Sequence, residues 1–223
     1  MNWPLKIITI RLLVLLNFSL LCLHPIPVRS ADEKIQFYDV EIIIFKNNGG
    51  PKDKELIIPA SLPPKDKRIF DLSSATSKRS YRVLQSNQLR LHDHVKKIAK
   101  SPDYDLLTHV GWRQPGLELK KTIPVWIRSG RMFDQAYELE GKITVALARY
   151  LHIYTDLVLH RRKSLDDTVA NPGVDNLDDP ATTTTNKFDS YHLKEHRRMR
   201  SKKLHYLDHP EFGLLVMITP YPI

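Results

Sequence analysis

Apolar residues recur at every second position through much of this chain, and that rhythm predicts strands. The longest example is "LEGKITVALARYLHIYTDLVLH". Leu139, Ile143, Val145, Leu147, Leu151, Ile153, Leu157 and Leu159 occupy its odd positions, while Glu138, Lys142, Thr144, Tyr150, His152, Tyr154, Asp156 and His160 occupy the even ones. Gly141, Arg149 and Thr155 interrupt the odd set. A helical stripe survives only locally, at Leu147, Leu151, Tyr154 and Val158. No Gly, Pro or Asn lies between Lys142 and Thr155, so the pattern favours one long strand over a tight turn. A strand of about 20 residues would span roughly 66 Å. It must then bend, with a bulge expected near Ala148-Arg149.

Other segments carry the same signal. "IQFYDVEIIIFKN" (35–47) reads as a buried strand stopped by "NNGGP", "YDLLTHVGWRQPG" as a strand ending in a Pro-Gly turn, and "KKTIPVWIRSG" as a strand near an edge, because Pro124 has no N–H to donate. "YHLKEHRRMRSKK" has no helical stripe. As a strand it places His192, Lys194, His196, Arg198, Arg200 and Lys202 on one wholly basic face, opposite Tyr191, Leu193 and Met199. "FGLLVMITPY" is apolar on both faces, which predicts a central or well-covered strand.

One segment has a helical period. In "SNQLRLHDHVKKIAKSPDY", Leu91, Val95, Ile98 and Ala99 share a face, Ser86 or Asn87 can cap the start, and Pro102 enforces the stop. Residues 48–80 read as an irregular connection with room for one short strand. Residues 164–187 are acidic and rich in Pro and Thr, which predicts a mobile loop or an acidic flap over a basic face. The expected fold is α+β: a mainly antiparallel, strongly curved β-sheet with one main helix, about 86–100, packed on it.

The N-terminus changes the compartment. Lys6 and Arg11 precede "LLVLLNFSLLCL", and "HPIPVRSA" follows, so residues 1–30 read as a signal peptide cleaved at Ser30-Ala31. The apolar run is shorter than the roughly 20 residues a membrane helix needs. An uncleaved anchor and a lipoprotein at Cys22 are the alternatives, although Leu21 is large for a lipobox. Cys22 is the one cysteine of the 223 residues, so the exported chain must hold itself together by burial alone. Residues 31–223, about 190 in number, suffice for a single domain. Removing Lys6, Arg11 and Arg29 from 34 basic side chains leaves 31 against 25 acids, a balance of +6. A basic exported protein points to acidic envelope polymers and away from nucleic acid.

No nucleophile motif, phosphate loop or paired-carboxylate signature is present, so no catalytic residue is assigned. His205 and His209 are four apart, as are His192 and His196. On a helix such pairs could bind zinc, which keeps a zinc-dependent envelope hydrolase as an alternative. "LDHPEFG" reads better as a turn shaped by His205, Asp208 and His209, with no metal or cofactor. The arginines of "RRMR" suit carboxylates better than lysine would. Rings nearby could stack on sugars. The candidate ligand-binding residues are therefore Arg198, Arg200, Tyr150, Tyr154, Tyr206, Arg149, Trp112 and Arg113. The plainer readings are a solvated charged face and, for Trp112 and especially Trp126, core packing.

The ordered set "YDVEIIIFKN", "YDLLTHVGWRQPG", "LEGKITVALARYLHIYTDLVLH" and "RRMRSKKLHYLDHPEFGLLVMITPY" resembles the CsiV family, with "RYLH" and "LHYLDHPEFG" its most specific parts. The resemblance implies a periplasmic, non-enzymatic, peptidoglycan-binding protein of Gram-negative bacteria. It also implies a role in cell-wall synthesis through an outer-membrane lipoprotein that activates a class A penicillin-binding protein, with no membrane span after cleavage. It implies no particular binding residues. A purely protein-binding envelope adaptor is the other alternative.

Overall fold

The computed structural model describes residues 35–49, 62–64, 68–74, 80–133, 136–162 and 188–222. The segments read as a signal peptide (1–30) and as an acidic loop (164–187) lie outside them.

Among the described residues, ten strands and one α-helix follow in order: β1 (Phe37–Asn47), β2 (Phe70–Asp71), β3 (Arg82–Val83), α1 (His92–Lys100), β4 (Tyr104–Pro115), β5 (Val125–Phe133), β6 (Ala136–Leu147), β7 (Leu151–Arg162), β8 (Phe188–Met199), β9 (Leu204–His209) and β10 (Phe212–Pro220). They divide between two five-stranded sheets. Sheet A has the order β3-β4-β1-β10-β9, and sheet B the order β2-β5-β6-β7-β8. Every pairing is antiparallel except the two-residue contact of β2 with β5.

The two-residue rhythm explains the layering. Even positions of β1 and β10 (Val40, Ile42, Ile44, Leu214, Val216, Ile218) share one buried cluster with odd positions of β6 and β7 (Leu139, Ile143, Val145, Ile153, Leu157, Leu159). That cluster lies between the sheets, and each fully buried branched side chain contributes about 1.5–3 kcal/mol. Gln114 spans the layers: Trp112 Nε1–H donates to its Oε1 (2.8 Å), and its Nε2 donates to the Val145 carbonyl (2.7 Å). The seams between the sheets are also bridged. Ser129 Oγ donates to the Leu107 carbonyl at 2.5 Å, and the Arg197 guanidinium donates to the Tyr206 carbonyl.

α1 covers part of the outer face of sheet A. Leu91, Ile98 and Val95 pack with Ile43, Phe45, Leu215 and Met217. The helix is shorter than expected: Ser86–Gln88 form a separate 3-10 turn, and α1 begins at His92. The cause is Glu41 of β1. Its buried carboxylate accepts the Arg90 and Leu91 N–H groups and faces His109 Nε2 at 2.8 Å, fixing the chain in a non-helical entry.

The expected single, strongly curved sheet is replaced by two sheets packed face to face, so α+β describes a mostly β molecule only in part. The long strand breaks into β6 and β7 at Ala148-Arg149-Tyr150. Leu147 faces Leu151, and Ala148 N–H donates to the Tyr150 carbonyl at 3.0 Å. None of the three loop residues has positive φ, so the turn needs no glycine or asparagine. An odd-numbered loop also preserves parity, pairing odd with odd across the hairpin. A single strand and this hairpin therefore print the same alternation. Gly141 interrupts the odd set because its φ is +149° and a Cβ there would collide with the Asp156 carbonyl of β7.

Candidate functional site: the outer face of sheet B

The face of sheet B turned away from the core carries the even positions of β6, β7 and β8. No helix lies over it among the described residues; α1 packs on sheet A. Residues 188–199 form a strand, so His192, Lys194, His196 and Arg198 fall on one side, while Arg197 falls on the other and reaches the Tyr206 carbonyl. Cross-strand pairing then sets each beside a partner on β7: Arg198 beside His152, His196 beside Tyr154, Lys194 beside Asp156, and His192 beside Val158.

The rings on this face are ordered by stacking. Tyr154 lies flat on His196, with centroids 4.2 Å apart and planes within 3°. His196 in turn stacks on His152 at 5.2 Å, and their Nε2 and Nδ1 atoms are 3.0 Å apart. One of the two nitrogens donates and the other accepts. At the hairpin tip, Arg198 sits over the Tyr150 ring at 4.6 Å and Arg149 lies 5.5 Å from the same centroid. A guanidinium held against a ring loses less freedom when it binds a carboxylate. Beside Tyr154, Lys142, Thr144, Asp156, Lys194 and Glu195 border a shallow depression of about 330 Å³. That size lies at the lower end of small-molecule sites and suits one sugar or one short peptide segment.

Charge balance sets this face apart. Asp156 is engaged by His192 Nε2 at 2.6 Å. Among the described residues, no carboxylate pairs with Arg149, Arg198 or Lys194. Arg200 lies just past β8, exposed, with its N–H donated to His205 Nε2 at 3.1 Å.

The structure brings Arg149, Tyr150, Tyr154 and Arg198 onto one face, with Arg200 beyond its end. It places three other expected ligand residues elsewhere. Trp112 is fully buried between the sheets and offers no ring to a ligand. Arg113 is on the outer face of sheet A, where Nε and Nη2 donate to the Asp39 carboxylate at 2.6 and 3.0 Å and the head lies over the Tyr221 ring. The bond to Asp39 raises its pKa above the ordinary arginine value. Tyr206 is also on the outer face of sheet A, parallel to Phe45.

His205, Asp208 and His209 lie on strand β9 rather than in a turn, and the turn itself is Pro210-Glu211. His205 accepts from the Arg200 turn, Asp208 accepts the Tyr206 hydroxyl proton at 2.5 Å, and His209 Nδ1 accepts the Glu211 N–H at 3.1 Å. The zinc alternative loses its geometric basis, because His205 and His209 lie on β9. Four residues along a strand separate two positions by roughly 13 Å, far more than one helical turn. Among the described residues no group of three or more His, Cys, Asp or Glu side chains is placed to share a metal ion. No helix among them is long and apolar enough to cross a membrane.

Sequence reading did not find the His152–His196–Tyr154 stack. Its signal is present, as a ring or imidazole at each of 152, 154 and 196, but the register that joins them is not readable from one strand alone.

A family model described as "Peptidoglycan-binding protein, CsiV" matches residues 10–221. No curated protein and no solved structure matches.

Proposed function

The chain belongs to the CsiV family of peptidoglycan-binding proteins, and from that premise we propose that it holds the cell wall, without chemistry, on the outer face of sheet B. The observation that carries this reading is the set of cations that stand beside ordered rings and, among the described residues, have no acid partner. Arg149 and Arg198 are steadied by Tyr150, and Lys194 stands at the rim of the depression next to Tyr154. Peptidoglycan stems end in free carboxylates, which guanidinium forks accept in bidentate fashion. The sugars present apolar ring faces beside them.

This reading places the protein in the periplasm, exported by a cleaved signal peptide. It has residues 31–223 work as one domain whose acidic segment, 164–187, could compete for the cationic face. The family resemblance adds a role in wall synthesis, exerted with an outer-membrane lipoprotein activator of a class A penicillin-binding protein.

A pull-down on purified sacculi tests the binding. The Arg198→Ala/Arg200→Ala protein should remain largely in the supernatant where the parent sediments. Equal sedimentation of both would put the wall contact on another surface. Co-purification with the lipoprotein, with and without sacculi, tests the partnership separately.

A further inference from the structure

We propose that the end of the sandwich bearing Lys120, Lys121, Lys202 and Lys203 docks on the anionic lipid surface of a membrane. This end borders the cationic face of sheet B but is a different surface, and the inference does not depend on where the wall is held.

A circuit of hydrogen bonds draws the loops of this end together. Gly116 N–H donates to the Gln36 carbonyl at 2.8 Å, Leu147 N–H to Leu117 at 2.8 Å, Lys202 N–H to Ile218 at 2.7 Å and Tyr221 N–H to Phe37 at 2.8 Å. Arg198, over the Tyr150 ring, joins the 148–150 loop to the turn at 200–203. Lys120, Lys121, Arg149, Arg200, Lys202 and Lys203 are all exposed here, and the exposed carboxylate set against them among the described residues is Glu118, 3.9 Å from Lys121. Turn chemistry does not explain Lys202. Its φ is +60°, a left-handed conformation that glycine or asparagine adopts at less cost. At the other end of the sandwich the cations are already paired, Lys46 with Glu138 and Asp105, and Arg161 with Glu211.

Apolar side chains stand among these cations. Ile35 is 52% exposed, Leu119 48% and Tyr221 39%, and Leu119 directly precedes the lysine pair. Cations alone satisfy a polymer of carboxylates, which has no use for exposed aliphatic groups. A bilayer with anionic headgroups uses both: its phosphates attract the lysines, and the boundary beneath them takes apolar side chains to a depth of about 5–10 Å. The type of cation agrees. Lysine is a mobile point charge and suits headgroups with no fixed geometry, where the arginine forks on sheet B suit a carboxylate held in place. The chain also enters the fold here, at Ile35, shortly after the apolar run that ends at Leu23. On the signal-peptide reading, a leader still seated in the membrane tethers the protein by this end.

The test is sedimentation of the exported protein with vesicles of phosphatidylethanolamine and phosphatidylglycerol, beside vesicles of phosphatidylcholine alone. Binding is expected to the anionic vesicles and not to the neutral ones. Lys120→Glu/Lys121→Glu/Lys203→Glu, which spares the turn at Lys202, should weaken it by about ten-fold or more, because surface cations act together on an anionic bilayer. Lys96→Glu/Lys97→Glu/Lys100→Glu makes the same change of net charge on exposed positions of α1, which leads to the opposite end, where Asn48 Nδ2 donates to the Pro102 carbonyl. That variant should keep most of the vesicle binding. Leu119→Ser should weaken vesicle binding several-fold at unchanged charge, and both triple variants should hold sacculi equally. Equal vesicle affinity of the two triple variants, or a parent that binds anionic vesicles no better than neutral ones, overturns the proposal. So does a Lys120, Lys121 and Lys203 variant that loses sacculi but keeps vesicles, which would give this end to the wall. Failure of the parent on sacculi would strike the wall reading alone, since the vesicle arm does not involve it.

Discussion

The two outer faces of the sandwich use the same residue types to opposite ends. On sheet A, Arg113 is spent on Asp39 and stacked over Tyr221, and a buried glutamate, Glu41, ties the entry of α1 to β1. On sheet B, Arg149 and Arg198 rest on Tyr150 with no carboxylate among the described residues. Arginine on a strand is thus no sign of binding by itself. What differs is whether the fold has already supplied the anion. A paired guanidinium stabilises the fold, and one steadied only by a ring still has its donors to give.

Substitutions can break this contrast. The largest effect is expected in the layer between the faces. Trp112→Ala opens a cavity between the sheets and strands the side chain of Gln114, and should cost about 4 kcal/mol in urea unfolding. Tyr150→Ala, at the exposed hairpin tip, should change stability by less than about 0.5 kcal/mol. Next comes Glu41→Ala, which leaves the Arg90 and Leu91 N–H groups without an acceptor. A loss of about 2–3 kcal/mol is expected, with exchange of the Leu91 amide accelerated and sacculus binding preserved. Third, Arg113→Ala should lower stability by about 1 kcal/mol and leave sacculus binding intact. Arg198→Ala should do the reverse, weakening sacculus binding several-fold with no change in the melting temperature.

The smallest effect is in pH. Burial holds His209 and His160 below the ordinary histidine range; Asp208 and Glu140, respectively, pull the other way, and His192 adds to the lowering at His209. Folding therefore favours their neutral forms. The stability they contribute is fully present above the unfolded value of about 6.5 and is lost as pH falls through it toward the folded values. Denaturation midpoints should drop modestly between pH 7.5 and 5.5, and less so in His209→Gln. A drop in His209→Gln as large as the parent's would contradict the burial of that ring. Glu138 behaves in the same sense at lower pH: burial raises its pKa, but the bonds from Lys46 and the Arg131 N–H outweigh that and lower it, so its contribution is full above the ordinary glutamate range and is lost as pH falls through that range toward the lowered folded value.

Much of this architecture was legible because alternation survives folding. The basic even face holds over 192–198, with Arg200 and Lys202 falling beyond the end of β8; the apolar run of β10 and the stripe of Leu91, Val95 and Ile98 hold, with Ala99 left exposed. Parity also concealed what was missed. A three-residue loop at 148–150 keeps odd beside odd, so a hairpin looked like one long strand. The chain crosses between sheets over residues 200–203. Even positions of β8 face out from sheet B, and even positions of β9 face out from sheet A. Tyr206 and Arg198 thus share a parity and lie on opposite sides of the molecule. Trp112 offered no signal of its own, since a tryptophan in an alternating strand can face either way until the partner sheet is known.

The most direct test of the central claim is the affinity of Arg149→Ala/Arg198→Ala for purified sacculi, measured beside the parent at low and raised salt. Affinity should fall by about ten-fold or more at low salt, and the residual binding should respond less to salt than the parent does, because the charges that salt screens have been removed. Parent-like affinity with a parent-like salt response would contradict the assignment of wall binding to the outer face of sheet B.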